Sequence, residues 1–533
     1  MIERVVENWL TSMNERGGYE VAFRQLLAFK GHRILHQSSH GQMEQGKDII
    51  TIAPDNVPCA YQLKAEGDIG LPTWRRIKGE VDDLIEIPIQ HPSVANDFMF
   101  HRAYLVNNGY LKDTVRRRIH DQNRVNAKRG YPSLNVIQLG DLHKDFVEIH
   151  GRFLPSQPRE FKRFLELFLF DGSALLPTGQ FSMFLLSALA IKEERIRNTE
   201  LRRAIASTVV LANYVLSSFR DASNHVSLIN GWVMVAAHIV AASRKAALSL
   251  KSWNASFQMS INAAEDALKA FANEILSRTD FRQGDPLTDG LVYQVRMTLI
   301  LGYLTAYDNY LHLKGEESES QLAIKQFVET HMNELLLWSE GAIPLFLSVA
   351  WFLERVNRQM LAEHVLFRVV TTIVKGNAPE EGHLGLADPY HTVEDVLRAH
   401  HGLDRGEMSE EDFEGHSYGL QSLVELLARR RRRRGLAFMW EDISRLCYSE
   451  FIPKPRWATY LWYAERGELH HRFPKKPESW KRLVQVAEDS NFRQVENVLK
   501  QSPEFLFLFL LVYPHRLRPI FVRLLDNQFS KAT

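Results

Sequence analysis

GKDIITIAPDNVPCAYQLK, residues 46 to 64, decides how the first part of this chain folds. IITIA is rich in β-branched residues, PDNVP is turn chemistry and CAYQLK resumes an alternating run, so the stretch is predicted to be a tight antiparallel hairpin. With the turn centred on Asn56, Asp48 and Lys64 lie equally far from it and are expected to face each other at the open end. A carboxylate and an ammonium placed so are either a surface ion pair of small energetic weight or the polar end of a site.

Upstream, Gly17 and Gly18 interrupt the pattern, and Tyr19, Phe23, Leu26 and Leu27 then share one face of a helix with Glu20 at its start. Gly31 stops that helix, HRILHQ is a short strand, and the polar run SSHGQMEQ leads into the hairpin. Downstream come a helix from about Thr73, a strand in FHRAYLVNN, a strongly basic helix in LKDTVRRRIHDQNRVNAKRG and a last strand in LNVIQLGDL. Strands alternating with helices predict an α/β domain over residues 1–152, a mixed sheet with helices packed against it.

Composition agrees with a globular protein and excludes little else. The chain is 533 residues long, 45% apolar and 24% charged, with a formal net charge of +1. At roughly 100–200 residues per domain this length predicts two to four domains. Any affinity for nucleic acid must come from local patches. Two cysteines, Cys59 and Cys447, make no disulfide framework and lack the CxxC spacing of a zinc site, which fits a reducing cytoplasm. At the N-terminus Ile2, Val5, Val6, Trp9, Leu10 and Met13 fall at the spacing of an amphipathic helix and not of a secretory leader. The apolar runs Trp232–Ala242 and Phe505–Tyr513 fall short of the ~20 residues a membrane span needs, so buried helices and no membrane partner are expected.

Glu20 in YEVAFRQLLAFKGHRI, Asp48 in GKDI, and Gln62 to Lys64 as a QxK triplet, followed by the strand and basic helix after YLVNN, resemble the Mrr-type branch of the PD-(D/E)XK restriction-endonuclease superfamily. The resemblance covers roughly the first 150 residues. It departs from the family where a longer polar loop, SSHGQMEQGK, precedes the aspartate, with Glu44 as a further ligand it could supply. It implies a restriction-endonuclease-like sheet and hydrolysis of phosphodiester bonds in DNA with Mg²⁺ or Mn²⁺. Hydrolysis of a phosphodiester needs a hard cation with oxygen ligands to neutralise phosphoryl charge. Asp48 is the expected metal carboxylate, and the resemblance adds the backbone carbonyl of Leu63. Gln62 supplies a neutral amide oxygen where most relatives supply a charge, which weakens the metal site without abolishing it. Lys64 is expected to hold the attacking water and to stabilise charge in the transition state. Glu20 either binds a metal or is an exposed first-turn carboxylate favouring the helix dipole.

Arg75, Arg76 and Lys78, and then Arg116, Arg117, Arg118, Arg124 and Lys128 on the basic helix, are candidate contacts to DNA phosphates. A charge run on a helix is equally the mark of a solvated face.

After FLPSQPRE the β signal nearly vanishes, and residues 153–533 are expected to be a large all-α array, a solenoid or bundle without a fixed repeat, divisible into two subdomains near 379–417. Arg429 to Arg434 end an apolar helix, where they either grip phosphate or complement the helix C-terminus. His400–His401 and His470–His471 are adjacent pairs without the i, i+4 spacing that puts two ligands on one helix face, so no metal site is expected at them. The acidic, histidine-rich stretch 379–417 is expected to be a mobile insertion. The functional expectation is a DNA endonuclease regulated by its helical region through a protein partner, a phage-derived trigger or a second copy, as in a prokaryotic defence effector. The alternative is a scaffold whose nuclease-like domain binds nucleic acid without cutting it.

Overall fold

The computed structural model describes residues 6–7, 10–11, 20–37, 46–90, 94, 101–153, 158–193, 196–278, 290–377, 386–400, 415–474 and 479–530. The chain divides into two compact units, one made of Met1–Ser223 with His238–Ala263 and the other of Asn224–Ala237 with Ala264–Thr533.

The first unit is built on a five-stranded sheet in the order β1-β2-β3-β4-β5. Helix α1 (Glu20–Phe29) precedes β1 (Arg33–Gln37), β2 (Ile49–Ile52) and β3 (Pro58–Lys64). Then come α2 (Leu71–Glu86), β4 (Arg102–Asn107), α3 (Asp113–Arg129), β5 (Leu134–Ile137) and α4 (Leu139–Phe153). The first two pairings are antiparallel and the last two parallel, which makes the sheet mixed, as expected. Parallel neighbours need a crossover, and α2 and α3 supply them.

Residues alternate across a strand, so the two faces of β3 can be read from its sequence. Ala60 belongs to one core with Trp74, Ile77 and Val81 of α2, Ala103 and Leu105 of β4, and Val115 and Ile119 of α3. The opposite face carries Tyr61, which stacks on Tyr104 at 4.9 Å between ring centroids and meets Phe23 of α1 edge-on at 5.5 Å. β3 is buried along its whole length, as a central strand covered on both faces should be. Helix α2 starts beside Gly70 with a proline in its first turn, and α3 stops at Gly130, whose φ of 77° is the left-handed geometry that closes a helix at little cost to glycine.

The hairpin forms, with a register other than the one expected. Ile49 pairs with Tyr61 and Ile52 with Pro58, so the turn centres on Asp55 and not on Asn56. The turn closes between Ala53 and Val57 with Asn56 at φ 64°, a left-handed position asparagine tolerates. Lys64 therefore lies beyond the paired end of the hairpin instead of across from Asp48.

The expectation of an all-α region beyond residue 153 is corrected in the second unit. A three-stranded sheet, β6 (His416–Ser417), β7 (Cys447–Pro453) and β8 (Gly467–Arg472), stands there in the order β6-β7-β8. β6 has only two residues, β8 is polar and exposed along its whole length, and β7, CYSEFIP, places its apolar residues without strict alternation, so the strands carry no alternating pattern for a sequence to display. The stretch 379–417 holds helix Val393–His400 and β6, while 378–385 and 401–414, with His401, lie outside the described residues. Elsewhere long helices dominate, including Gly290–Lys314 and Ile343–Arg355. The apolar run at Trp232 sits in a longer helix than its core implies, His225–Lys245. Among the described residues this is the one helix long and apolar enough to cross a membrane, and 89% of its most apolar window is buried within the protein.

Candidate functional site

Asp48 sits where β2 gives way to the loop before it. Its backbone N–H donates to the Tyr61 carbonyl at 2.9 Å although Tyr61 already pairs with Ile49. Two consecutive residues facing one is the mark of a bulge, and bulges re-aim side chains. Here the carboxylate turns onto the next strand and accepts the Leu63 N–H at 2.6 Å. Within a strand the N–H and C=O of one residue point to the same side. Leu63 N–H faces Asp48, while the Lys64 carbonyl faces β4 and accepts from Asn108 N at 3.3 Å. The Leu63 carbonyl is therefore directed toward Asp48, past the last rung of the β2–β3 ladder.

Gln62 and Lys64 lie two residues apart, on the face covered by α2. Both reach Glu80 of that helix: Lys64 Nζ is 2.8 Å from Glu80 Oε2, and Gln62 Nε2 donates to the same oxygen at 3.3 Å. Gln62 is buried, and its Oε1 has no hydrogen-bond partner among the described residues. A buried amide oxygen without a donor costs free energy, and a cation is one partner that removes the cost. Beside Lys64 in register is Asn107, whose Oδ1 is likewise buried and unpartnered. Asp48, the Leu63 carbonyl, Gln62 Oε1 and Glu80 are all oxygen donors, the set a hard divalent cation such as Mg²⁺ accepts.

Glu80 and Asn107 were not legible in the sequence. Glu80 lies on an amphipathic helix among Asp82, Asp83 and Glu86, and nothing in its spacing separates it from those acids. Only the packing of α2 over Ala60 brings it to Lys64.

Next to the site, Gly46 has φ 70°, and a Cβ there would stand 2.3 Å from the Glu80 carbonyl oxygen. Glycine thus lets the loop press against α2. Lys47 is buried, donates to the Asp83 carbonyl at 3.2 Å, and has its pKa lowered to about 8 by burial, partly offset by Asp83. His101 bonds the Leu84 carbonyl at 2.7 Å, and burial pushes its pKa down to about 4.

Glu20 opens α1, the helix that packs Phe23 onto the Tyr61 face of β3, opposite to the face carrying Gln62 and Lys64. Its carboxylate lies 3.9 Å from the Arg24 guanidinium one turn on. Glu44 lies outside the described residues.

The candidate phosphate contacts separate into two groups. On α2, Arg76 pairs with Glu66 and Lys78 with Asp82, leaving Arg75 exposed without an ion pair among the described residues. On α3, Arg116 is 3.8 Å from Asp113, while Arg117, Arg118, Arg124 and Lys128 are exposed and make no ion pair among the described residues. Both helices contribute to the core on the Ala60 face, and Gln122 of α3 bonds Asp82 of α2 at 2.9 Å. The basic helix and the Gln62–Lys64–Glu80 cluster therefore belong to one side of the sheet.

The arginine run in the second unit is largely consumed by carboxylates. Arg429 lies 2.9 Å from Asp526, Arg430 2.5 Å from Glu354 and 3.1 Å from Asp526, Arg431 2.6 Å from Glu488, and Arg432 pairs with Glu363. No family model, curated protein or solved structure matches the chain.

Proposed function

We propose that the first unit is a metal-dependent endonuclease that hydrolyses DNA, and that the rest of the chain recognises the trigger or partner that licenses cutting. The observation that carries this reading is the buried, unpartnered Gln62 Oε1 at a strand end shared with Asp48, Lys64 and Glu80. Asp48, Gln62 Oε1 and the Leu63 carbonyl would hold Mg²⁺ or Mn²⁺, with Glu80 adding a carboxylate that the QxK triplet lacks. Such an ion neutralises the phosphoryl oxygens and makes water a better nucleophile.

The chain's own residues supply the remainder. Lys64, held by Glu80, keeps an ammonium at the site where negative charge grows in the transition state. Leu63 N–H orients the Asp48 carboxylate, and a carboxylate whose lone pair is already engaged loses less entropy on binding a cation. The exposed cations of α3 attract the phosphate backbone without reading bases. A cutter fused to a large, mostly helical region suits a prokaryotic restriction or anti-phage effector, a cellular role that rests on analogy. A second reading, binding without cleavage, is favoured by the Lys64–Glu80 ion pair, which neutralises the lysine in the chain as it stands.

Plasmid DNA incubated with the full-length protein and Mg²⁺ or Mn²⁺ separates these. Cleavage is expected, with Asp48→Ala and Lys64→Ala each slower by about 10²–10³-fold and Glu80→Gln by a smaller factor. Equal cutting by the variants rejects the site. A wild type that retards DNA but cuts neither DNA nor RNA with either ion selects the non-cleaving reading.

A further inference from the structure

The small sheet of the second unit gathers three soft ligands from three strands. On β7, Cys447 and Ser449 are two residues apart and so share a face. The parallel register sets His416 of β6 beside Cys447, and the antiparallel register sets His471 of β8 beside Ser449. All four side chains consequently meet on one surface. One ligand atom each from His416, Cys447 and His471 lies within 4.8 Å of the other two. Ser449 sits between the imidazoles, its Oγ 3.2 Å from His416 Nδ1 and 3.1 Å from His471 Nδ1. The rings stand edge to face with centroids 5.1 Å apart.

We propose that His416, Cys447 and His471 form a zinc site that clips β6 to β7 and β8. A thiolate and two imidazoles are a borderline-soft set that suits Zn²⁺ and not the oxygen-seeking Mg²⁺ of the nuclease reading, on which this site does not depend. Ligation through Nε2 of each ring leaves a proton on each Nδ1, and the Ser449 hydroxyl has two lone pairs to accept both. A second layer of this kind orients the rings and sharpens metal affinity. Binding displaces one proton, from the Cys447 thiol to solvent, as the Zn–S bond forms. The thiol is buried, while the two histidines are open to solvent and admit the ion. No further His, Cys, Asp or Glu joins the group among the described residues. The adjacent spacing of His470 and His471 is no obstacle, because on a strand the two point to opposite faces and only His471 is required.

Metal-stripped full-length protein, titrated with Zn²⁺ and separately with Co²⁺ as a spectroscopic probe, tests the site. One equivalent of Zn²⁺ is expected to bind, and Co²⁺ to give a thiolate-to-metal charge-transfer band with the visible bands of four-coordinate cobalt. Cys447→Ser should lose the charge-transfer band, and Ser449→Ala should weaken Zn²⁺ binding by about 10–100-fold. His471 is exposed, so His471→Ala should keep the apo fold while losing binding. Zinc at a hundredfold excess over Kd should raise the wild-type melting midpoint by about 5 °C and leave that of His471→Ala unmoved. Equal zinc uptake by wild type and His471→Ala, or cobalt bound without a thiolate band, overturns the proposal.

Discussion

Lys47 illustrates how one residue beside the site is held at a cost. Burial lowers its pKa from 10.5 to about 8, a penalty of roughly 3 kcal/mol on the charged form. Because the folded pKa lies below the unfolded one, the unfolded chain retains the proton longer, and stability contributed by this group rises as pH climbs from about 8 toward 10.5. Lys47→Met should therefore melt higher than wild type at pH 7, and the difference should shrink across that window. A constant difference in melting midpoint from pH 7 to 10.5 would show that Lys47 is not the titrating group. At the same scale, the sequence singles out Asp48, Gln62 and Lys64 as candidates because a D…QxK pattern is local. The contacts they make were not legible, since the bulge that turns Asp48 onto Leu63 and the helix that brings Glu80 to Lys64 are set by packing.

At the scale of the element, the arginine run shows how identical sequence can serve opposite ends. Six consecutive cations at a helix end suit phosphate as well as they suit the dipole, and the sequence leaves both open. In the folded chain Arg430 lies between Glu354 and Asp526, and Asp526 is 2% exposed. Burial raises the pKa of Glu354 to about 7 even beside Arg430. Removing the arginine would take the ion-pair partner from Glu354 while Asp526 keeps Arg429, so Arg430→Ala should lose about 1–3 kcal/mol in a denaturant melt and leave DNA affinity unchanged. Lost DNA retention with an unaltered melt would restore the phosphate reading. The strands β6 to β8 carry the complementary lesson. Their residues have no apolar alternation, and a sheet whose pairings are non-local leaves little local trace.

For the whole molecule, the compact units cut across the boundary drawn from composition. The β signal ends near residue 152, yet the first unit continues through Ser223 and resumes at His238–Ala263. Gln25 of α1 is fully buried and accepts a hydrogen bond from Ser256 at 3.1 Å, so the five-stranded sheet and its helices lean on a helix far along the chain. A fragment 1–155 should consequently unfold with less cooperativity and expose more apolar surface than a fragment 1–263. Equal dye binding and equally sharp melts would show that the sheet and its nearest helices suffice. The sequence by itself determined the hairpin, the order of strands and helices over the first 150 residues, the mixed sheet they imply and the long helices after them. These follow from alternation, helical periodicity and turn residues, which act over a few residues and are written locally. Tertiary structure alone decided the register that separates Lys64 from Asp48, the arrival of Glu80, the pairing of the arginines and the meeting of His416, Cys447 and His471. Each of those joins residues distant in the chain, and only the packing of whole elements brings them within bonding distance.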